Sequence, residues 1–320
     1  MKDRGAPARL GPGGRLAAGL LSFLAGIWPS PLAGHERRFG AAAGSEAYAE
    51  QYALDQFMRR VRYGLGLGED LPPLWGRTVL EVGCGHGGIT CYFASIGALP
   101  TVGVDLDLGL VGYGRRLRAR IEGESGRPLP ARFVVSDCAR LAMRTESVDA
   151  VLADNFFEHA SDPRAVISEL HRVLKPGGLL LVPVFSSIHS KYGPHLKHGL
   201  RLPWLNLVFS TPVILAALRA RAERRPELWD FYPGLRDDPR ELRDVRRHRD
   251  LNEITHHAFL DFGRGAGFQV VRFWVHGTRL GRVVQRLWPA AARTGLLEVL
   301  STGAGAVLEK PCSGGGRVGS

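Results

Sequence analysis

The segment Thr78-Val-Leu-Glu81-Val-Gly83-Cys84-Gly85-His86-Gly87-Gly88 constrains this chain more than any other. A run of aliphatic residues ends in closely spaced glycines and an apolar stretch follows. The backbone must therefore turn tightly from a buried strand into a helix N-terminus, where main-chain atoms can press against a ligand. The turn opens an ordered alternation. Thr78–Val82 reads as a strand, His86–Ile96 as a helix, Thr101–Val104 as a strand and Leu108–Ile121 as a helix. Strands at Arg132–Val135 and Val148–Ala153, a helix at Ser161–Leu174 and a strand at Leu179–Val184 continue it. In the last helix Ser161 is the expected cap, Pro163 sits in the first turn and Lys175-Pro-Gly-Gly ends it. Short apolar strands alternating with helices predict a parallel sheet covered on both faces, with ligands at the carboxyl ends of its strands.

The alternation breaks over residues 186–252, which read as a helical insertion on the side of the second substrate, with a strongly apolar stretch at Leu202–Leu218 and mixed charge over Arg219–Asp250. A helix at Ile254–Gly265 and strands at Gln269–Val275 and Ala304–Leu308 then complete the sheet, with an amphipathic segment Leu280–Leu300 between those strands. The expectation is a doubly wound, mainly parallel, seven-stranded α/β fold. Its parts are an apolar and basic extension (1–44), a core (45–185), the insertion, a completing segment (253–310) and a Gly-rich tail (311–320). A leading helix over Ser45–Tyr63 carries Tyr48 and Tyr52 either as a core stripe or as a lid.

Charge is unevenly placed. The chain carries +11 formally, yet Arg77–Phe185 holds 12 basic and 12 acidic residues, whereas Arg264–Arg293 holds six Arg and no acid. Basic flanks beside apolar runs suit a phospholipid surface or an RNA backbone, and charge alone does not choose. The 13-residue apolar run Leu16–Trp28 has the outline of a signal or transit segment, or of a helix packed on the body. It is short of the roughly 20 residues that span a bilayer. Four cysteines without zinc spacing predict no disulfide framework, a reducing compartment and no metal site.

The chemistry sits at the strand ends. Gly83, Gly85 and Gly88 satisfy Gly-x-Gly-x-x-Gly, which admits a dinucleotide. Glu81 weighs against that, because its carboxylate repels a pyrophosphate and accepts hydrogen bonds from an ammonium. Asp105 ends the second strand, where a carboxylate can hold two ribose hydroxyls. Ser136-Asp137-Cys138 ends the third, and Asp154-Asn155-Phe-Phe-Glu-His159 follows the fourth.

Together with Arg172-Val-Leu-Lys-Pro-Gly-Gly-Leu-Leu-Leu-Val, these motifs over Leu74–Val184 resemble the class I S-adenosylmethionine-dependent methyltransferases, in particular the small-molecule branch that includes quinone-biosynthesis enzymes. The resemblance implies S-adenosylmethionine as cofactor. Glu81, Gly83, Cys84, Gly85 and Gly87 would surround its methionine part, Asp105 its ribose, Leu106 with Asp137 and Cys138 its adenine, and Asn155 would border the sulfonium. Gly193-Pro-His195-Leu, Leu202-Pro-Trp204-Leu-Asn-Leu-Val-Phe209 and Leu251-Asn252-Glu-Ile-Thr255 are similar to a bacterial subgroup of the same family. The implied enzyme methylates a small lipophilic or amphipathic acceptor at oxygen or carbon. His159 and His195 are the candidate bases, His189 is a third, and His198, His256 and His257 are expected at the surface or in caps. The missing Pro-Pro pair after the fourth strand and the missing Pro-Cys nucleophile lower the expectation of a nucleic-acid substrate. An RNA methyltransferase and a non-catalytic cofactor-binding scaffold stand as rival readings. A cytoplasmic protein is the expected setting, with Leu16–Trp28 and Leu280–Leu300 suited to peripheral membrane contact as an alternative to packing on the body.

Overall fold

The computed structural model describes residues 10–25, 38–40, 45–65, 67, 73–193, 199–200, 202–226, 228–229, 252–288 and 295–312. The strands are β1 (Val79–Val82), β2 (Thr101–Asp105), β3 (Ala131–Val135), β4 (Val148–Leu152), β5 (Leu174–Phe185), β6 (Gln269–Gly277) and β7 (Ser301–Glu309). They form one sheet in the order β3-β2-β1-β4-β5-β7-β6. The first five pair in parallel, while β7 runs antiparallel to both β5 and β6. The carboxyl ends of β1–β6 and the amino end of β7 therefore share one edge. Strand order reverses between β1 and β4, which opens the crevice where such sheets take their ligands.

Helices α2 (Glu46–Tyr63), α3 (Gly88–Ser95) and α4 (Leu108–Ser125) cover one face; α5 (Pro163–Val173) and α8 (His256–Gly265) cover the other. The main core joins Leu80, Val82, Val151, Leu180 and Val182 of the sheet to Ile167, Leu170 and Val173 of α5 and Phe259 of α8. Several helix N-termini carry a side-chain cap. Ser45 accepts from the Tyr48 amide, Asp107 from Gly109 and Leu110, and Thr255 from Ala258. Asp162, rather than Ser161, caps α5, accepting from Ala165 at 2.9 Å. A residue one place before Pro163 has the extended backbone that aims its side chain at the first free amides.

β5 begins five residues before the expected Leu179. Lys175-Pro-Gly-Gly reads as a stop, but Gly177 donates to the Lys310 carbonyl and Lys310 to the Gly178 carbonyl, so β7 holds those glycines in the sheet. The apolar stretch after Leu202 forms α6 (Leu205–Val208) and α7 (Thr211–Ala222). Ile214, Leu215, Ala217 and Leu218 of α7 pack on Ala18 and Leu21 of α1 (Pro12–Leu24) in a second apolar cluster. Leu280–Leu300 resolves into α9 (Arg279–Leu287) and α10 (Gly295–Val299). His256 is buried between Phe185 and Phe273 rather than at the surface, whereas His257 is exposed beside Asp261. Most of the charged stretch Arg219–Asp250 lies outside the described residues, as do His195 and His198. No helix among the described residues is long and apolar enough to cross a membrane.

Close packing fixes the glycine turn. Gly87 has φ +80°, and a Cβ there would sit 2.5 Å from the Phe133 ring and 2.6 Å from the Gly114 Cα. Gly85, at φ +48°, has open space around it. We expect Gly87→Ala to lose about 2–4 kcal/mol in urea denaturation from left-handed strain plus overpacking, and Gly85→Ala only about 1 kcal/mol. Equal losses would mean that backbone strain alone governs the turn.

Candidate functional site

At the end of β2 the turn and the carboxylate are joined directly. The Gly85 amide donates to Asp105 Oδ2 at 3.0 Å, and the Asp107 amide donates to Oδ1 at 3.0 Å. Asp105 is thereby fixed beside the mouth of the glycine turn, with the exposed Leu106 following it. At the end of β3, Asp137 is exposed and accepts from the Ala139 amide at 2.9 Å. Cys138 is buried against the Gly83 backbone, and burial pushes its thiol up to about 12. Burial raises Cys84 as well, with Glu81 and Asp105 adding to the effect. Both sulfurs stay protonated near neutrality, as wall atoms and not nucleophiles.

The electrostatic centre lies where β1 and β4 end. Glu81 is buried, accepts a hydrogen bond from the Thr90 hydroxyl, and has its carboxyl raised to about 8, by burial first and by the nearby Asp154 charge as well. Asp154 is likewise buried and raised, and Arg60 of α2 reaches it at 2.6 Å. That guanidinium binds Oδ2 only; Asp154 Oδ1 and Arg60 Nε are buried with no hydrogen-bond partner among the described residues. Asn155 follows with φ +49° and an exposed side chain, its amide held by the Val184 carbonyl at 2.8 Å. Of these two neighbours, Asp154 is the one sealed into the crevice.

Helix α2 roofs the turn. Tyr48 and Tyr52 stack on each other at 6.3 Å, Tyr52 meets the His86 ring edge-on at 5.2 Å, and His86 meets Tyr113 at 5.3 Å. Burial lowers His86 to about 4, so it is a neutral ring in this aromatic wall. The two half-buried tyrosines thus stand beside the glycine turn, outside the main core clusters.

Beyond β4, the 3-10 turn Phe157–His159 is fastened by Asn252, whose amide donates to the Phe157 and Ala160 carbonyls. His159 is half-buried there. Past β5, buried Glu298 of α10 gathers the Ser187 hydroxyl, the His256 amide at 3.3 Å and His189 Nδ1 at 3.3 Å. The His189 side chain is 44% exposed. Glu298 follows α9 and precedes β7, so this cluster shares the edge that carries Asp105 and Asp154.

These features test which ligand the crevice suits. A pyrophosphate would meet acids already raised by burial and would drive them further toward their protonated forms. A ligand with an ammonium and a sulfonium would give Asp154 Oδ1 its missing partner, and Asp105 is placed for a ribose. The residues fit S-adenosylmethionine.

Residues 80–182 match the family described as methyltransferase domain. This stretch is a methyltransferase domain. The chain is 33% identical over 119 residues to demethylmenaquinone methyltransferase of Renibacterium salmoninarum, covering 37% of this chain and 45% of the relative. It is 32% identical over 113 residues to phosphoethanolamine N-methyltransferase of Triticum aestivum, covering 35% and 21%. The chain thus spans less than half the length of these curated relatives. A solved S-adenosylmethionine-dependent methyltransferase from Mesorhizobium loti superposes with TM-score 0.47 and 14% identity, over 83% of this chain and 98% of that one.

Sequence reading of the methyltransferase domain missed Arg60, which meets Asp154 across 94 residues of chain, and Glu298, which meets Ser187 across 111. Acids at strand ends signalled Asp154; nothing local signals its partner.

Two outcomes follow for binding. Asp105→Ala should weaken S-adenosylmethionine binding at least about tenfold in calorimetry, the scale of a lost charge-assisted hydrogen bond, and wild-type affinity would remove Asp105 from the site. Glu81 favours its proton in the folded state. Its stability contribution is therefore complete below the ordinary 4.5 and lost as pH rises through about 8. Glu81→Gln should consequently gain melting temperature over the wild type above pH 8 while binding the cofactor more weakly; a difference that does not vary with pH would show that Glu81 titrates normally.

Proposed function

We propose that this protein transfers the methyl group of S-adenosylmethionine to a small lipophilic or amphipathic metabolite, at oxygen or carbon. The observation that carries the cofactor half is the sealed carboxylate of Asp154, which has one oxygen on Arg60 and the other without a partner, one strand away from Glu81 and on the same edge as Asp105. Bound there, the cofactor supplies a methyl group on a positively charged sulfur, open to in-line displacement. Glu81 and Asp154 would hold its ammonium, Asp105 its ribose, and Leu106, Asp137 and Cys138 would border its adenine. The aromatic wall of Tyr52, His86 and Tyr113 would exclude water from the turn.

Transfer to oxygen or carbon requires a proton to leave the acceptor. His189 suits that task, because its Nδ1 lies 3.3 Å from the Glu298 carboxylate, a placement that would favour the tautomer with Nε2 as acceptor. Half-buried His159 is the alternative on the β4 side, and His195 falls outside the described residues. The lipophilic acceptor is supported by demethylmenaquinone methyltransferase among the relatives.

The test is to incubate the protein with cofactor labelled in its methyl group and an extract of its source cells. Label should enter the organic phase, and His189→Gln should slow that transfer by about a hundredfold without changing cofactor affinity. Nuclease-sensitive label would favour an RNA acceptor instead. A folded, cofactor-binding protein that transfers nothing to the extract would count against the enzyme reading.

A further inference from the structure

Helix α9 carries an apolar face that stays exposed among the described residues. Thr278 caps it, accepting from the Gly281 amide at 3.2 Å, and donates to the Leu300 carbonyl at 3.0 Å. Gly281 lies against that same carbonyl, where a Cβ would come within 2.8 Å, and Val284 packs on the main core. These contacts fix which side of the helix meets the body. At about 100° per residue, Leu280, Val283 and Leu287 then fall together on an adjacent side, and Trp288 ends the helix. All four are between 51 and 80% exposed.

A cluster of four large apolar side chains on one short helix is a costly surface to leave in water. It also continues sideways. Leu296 of α10, next to α9, is about half exposed. Trp204 donates its indole N–H to the Val299 carbonyl at 2.8 Å, and Leu207 and Val208 in the helix that Trp204 opens are exposed as well.

Charge selects the occupant. Arg282 and Arg286 are exposed on the flank of α9 away from Val284, one turn apart, and neither forms an ion pair among the described residues. The stretch from Arg264 to Arg293 contains no acid. A protein partner covering this face would need acidic and apolar groups in matched positions. A bilayer with anionic headgroups offers both without a match, taking the apolar row into its acyl boundary and the guanidinium groups at its phosphates.

We propose that the α9 face, Leu280, Val283, Leu287 and Trp288 flanked by Arg282 and Arg286, docks the protein on an anionic phospholipid surface. The proposal stands apart from the catalytic reading, since it concerns binding and needs no cofactor.

Co-sedimentation of the full chain with vesicles tests it. Vesicles containing phosphatidylglycerol should bind the protein at least about tenfold better than pure phosphatidylcholine, and high salt should reduce the difference. Val283→Asp with Leu287→Asp should abolish binding, and Arg282→Gln with Arg286→Gln should remove the preference for anionic lipid. Both pairs are exposed, so unchanged thermal melts and cofactor affinity are expected and serve as the check on folding. Three results would overturn the proposal: no vesicle binding by the wild type, equal binding to neutral and anionic vesicles, or full binding by the aspartate pair. A dimer in sedimentation equilibrium that the aspartate pair dissociates, without vesicle binding by the wild type, would assign the face to a second copy of this chain.

Discussion

Carboxylates brought together away from water must be neutralised, protonated or paired, and that requirement organises the carboxyl edge of this sheet. Glu81, Asp154 and Glu158 are all buried at adjoining strand ends, with Asp105 one strand over. Moving one such charge out of water costs several kcal/mol even after relaxation. The chain meets part of this cost by shifting Glu81 to about 8 and raising Asp154, and part by sending Arg60 in from α2. The balance is incomplete, since Arg60 reaches only one oxygen of Asp154. A site that protonates its acids and still keeps an acceptor open is poised for a cation. The same arrangement ties the N-terminal helix to the chemistry. α2 is held by Arg60 at one end and by the tyrosines over His86 further back, so the roof over the turn and the charge balance beneath it are a single structural unit.

Much of this was legible in the sequence because the determining contacts are local. The glycine turn follows from the residues on either side of it: Gly87 has no room for a side chain, and Asp105 is fixed by amides two residues and twenty residues away on elements that the alternation already predicts. Strand ends marked by acids announced Asp105, Asp137 and Asp154 in order. The misread parts depend on distant partners. Lys175-Pro-Gly-Gly ends a helix in any local reading, and only pairing with Lys310 makes it strand. His256 looked like a surface cap because it starts a helix, yet Phe185 and Phe273, far away in sequence, enclose it and burial lowers it to about 3. Arg60 and Glu298 escaped for the same reason, each being one ordinary charged residue on a helix until the fold supplies its partner.

The extension and the insertion also had to be read together. Taken singly, Leu16–Trp28 admits a targeting segment or a helix packed on the body, and Leu202–Leu218 an apolar run that must cover something. In the structure α1 and α7 cover one another, with Ala18 and Leu21 against Ile214 and Leu218, and the small alanines let the helices approach closely. Burying these side chains is worth on the order of 1.5–3 kcal/mol for each large one, enough to make the two segments mutually dependent. Deleting either would bare the other, so solubility lost on truncation says little about targeting.

The apolar face of α9 and the cofactor crevice are linked by topology. β6 runs parallel to β5, so its carboxyl end, from which α9 departs, lies on the same edge as the ends of β1 and β4. α10, which carries Glu298, lies between α9 and β7 and adjoins α9. A surface seated on Leu280, Val283 and Leu287 would therefore stand at the edge where His189 projects, rather than on the opposite side of the sheet. A lipophilic acceptor leaving a bilayer at that edge would not have to cross bulk water to reach a base. Free energy favours this arrangement, since an apolar molecule passing through water loses about 25 cal/mol for each Å² it exposes. Under the two proposals taken together the gain would fall to an acceptor that resides in lipid, while a fully hydrated metabolite would gain nothing from the same geometry.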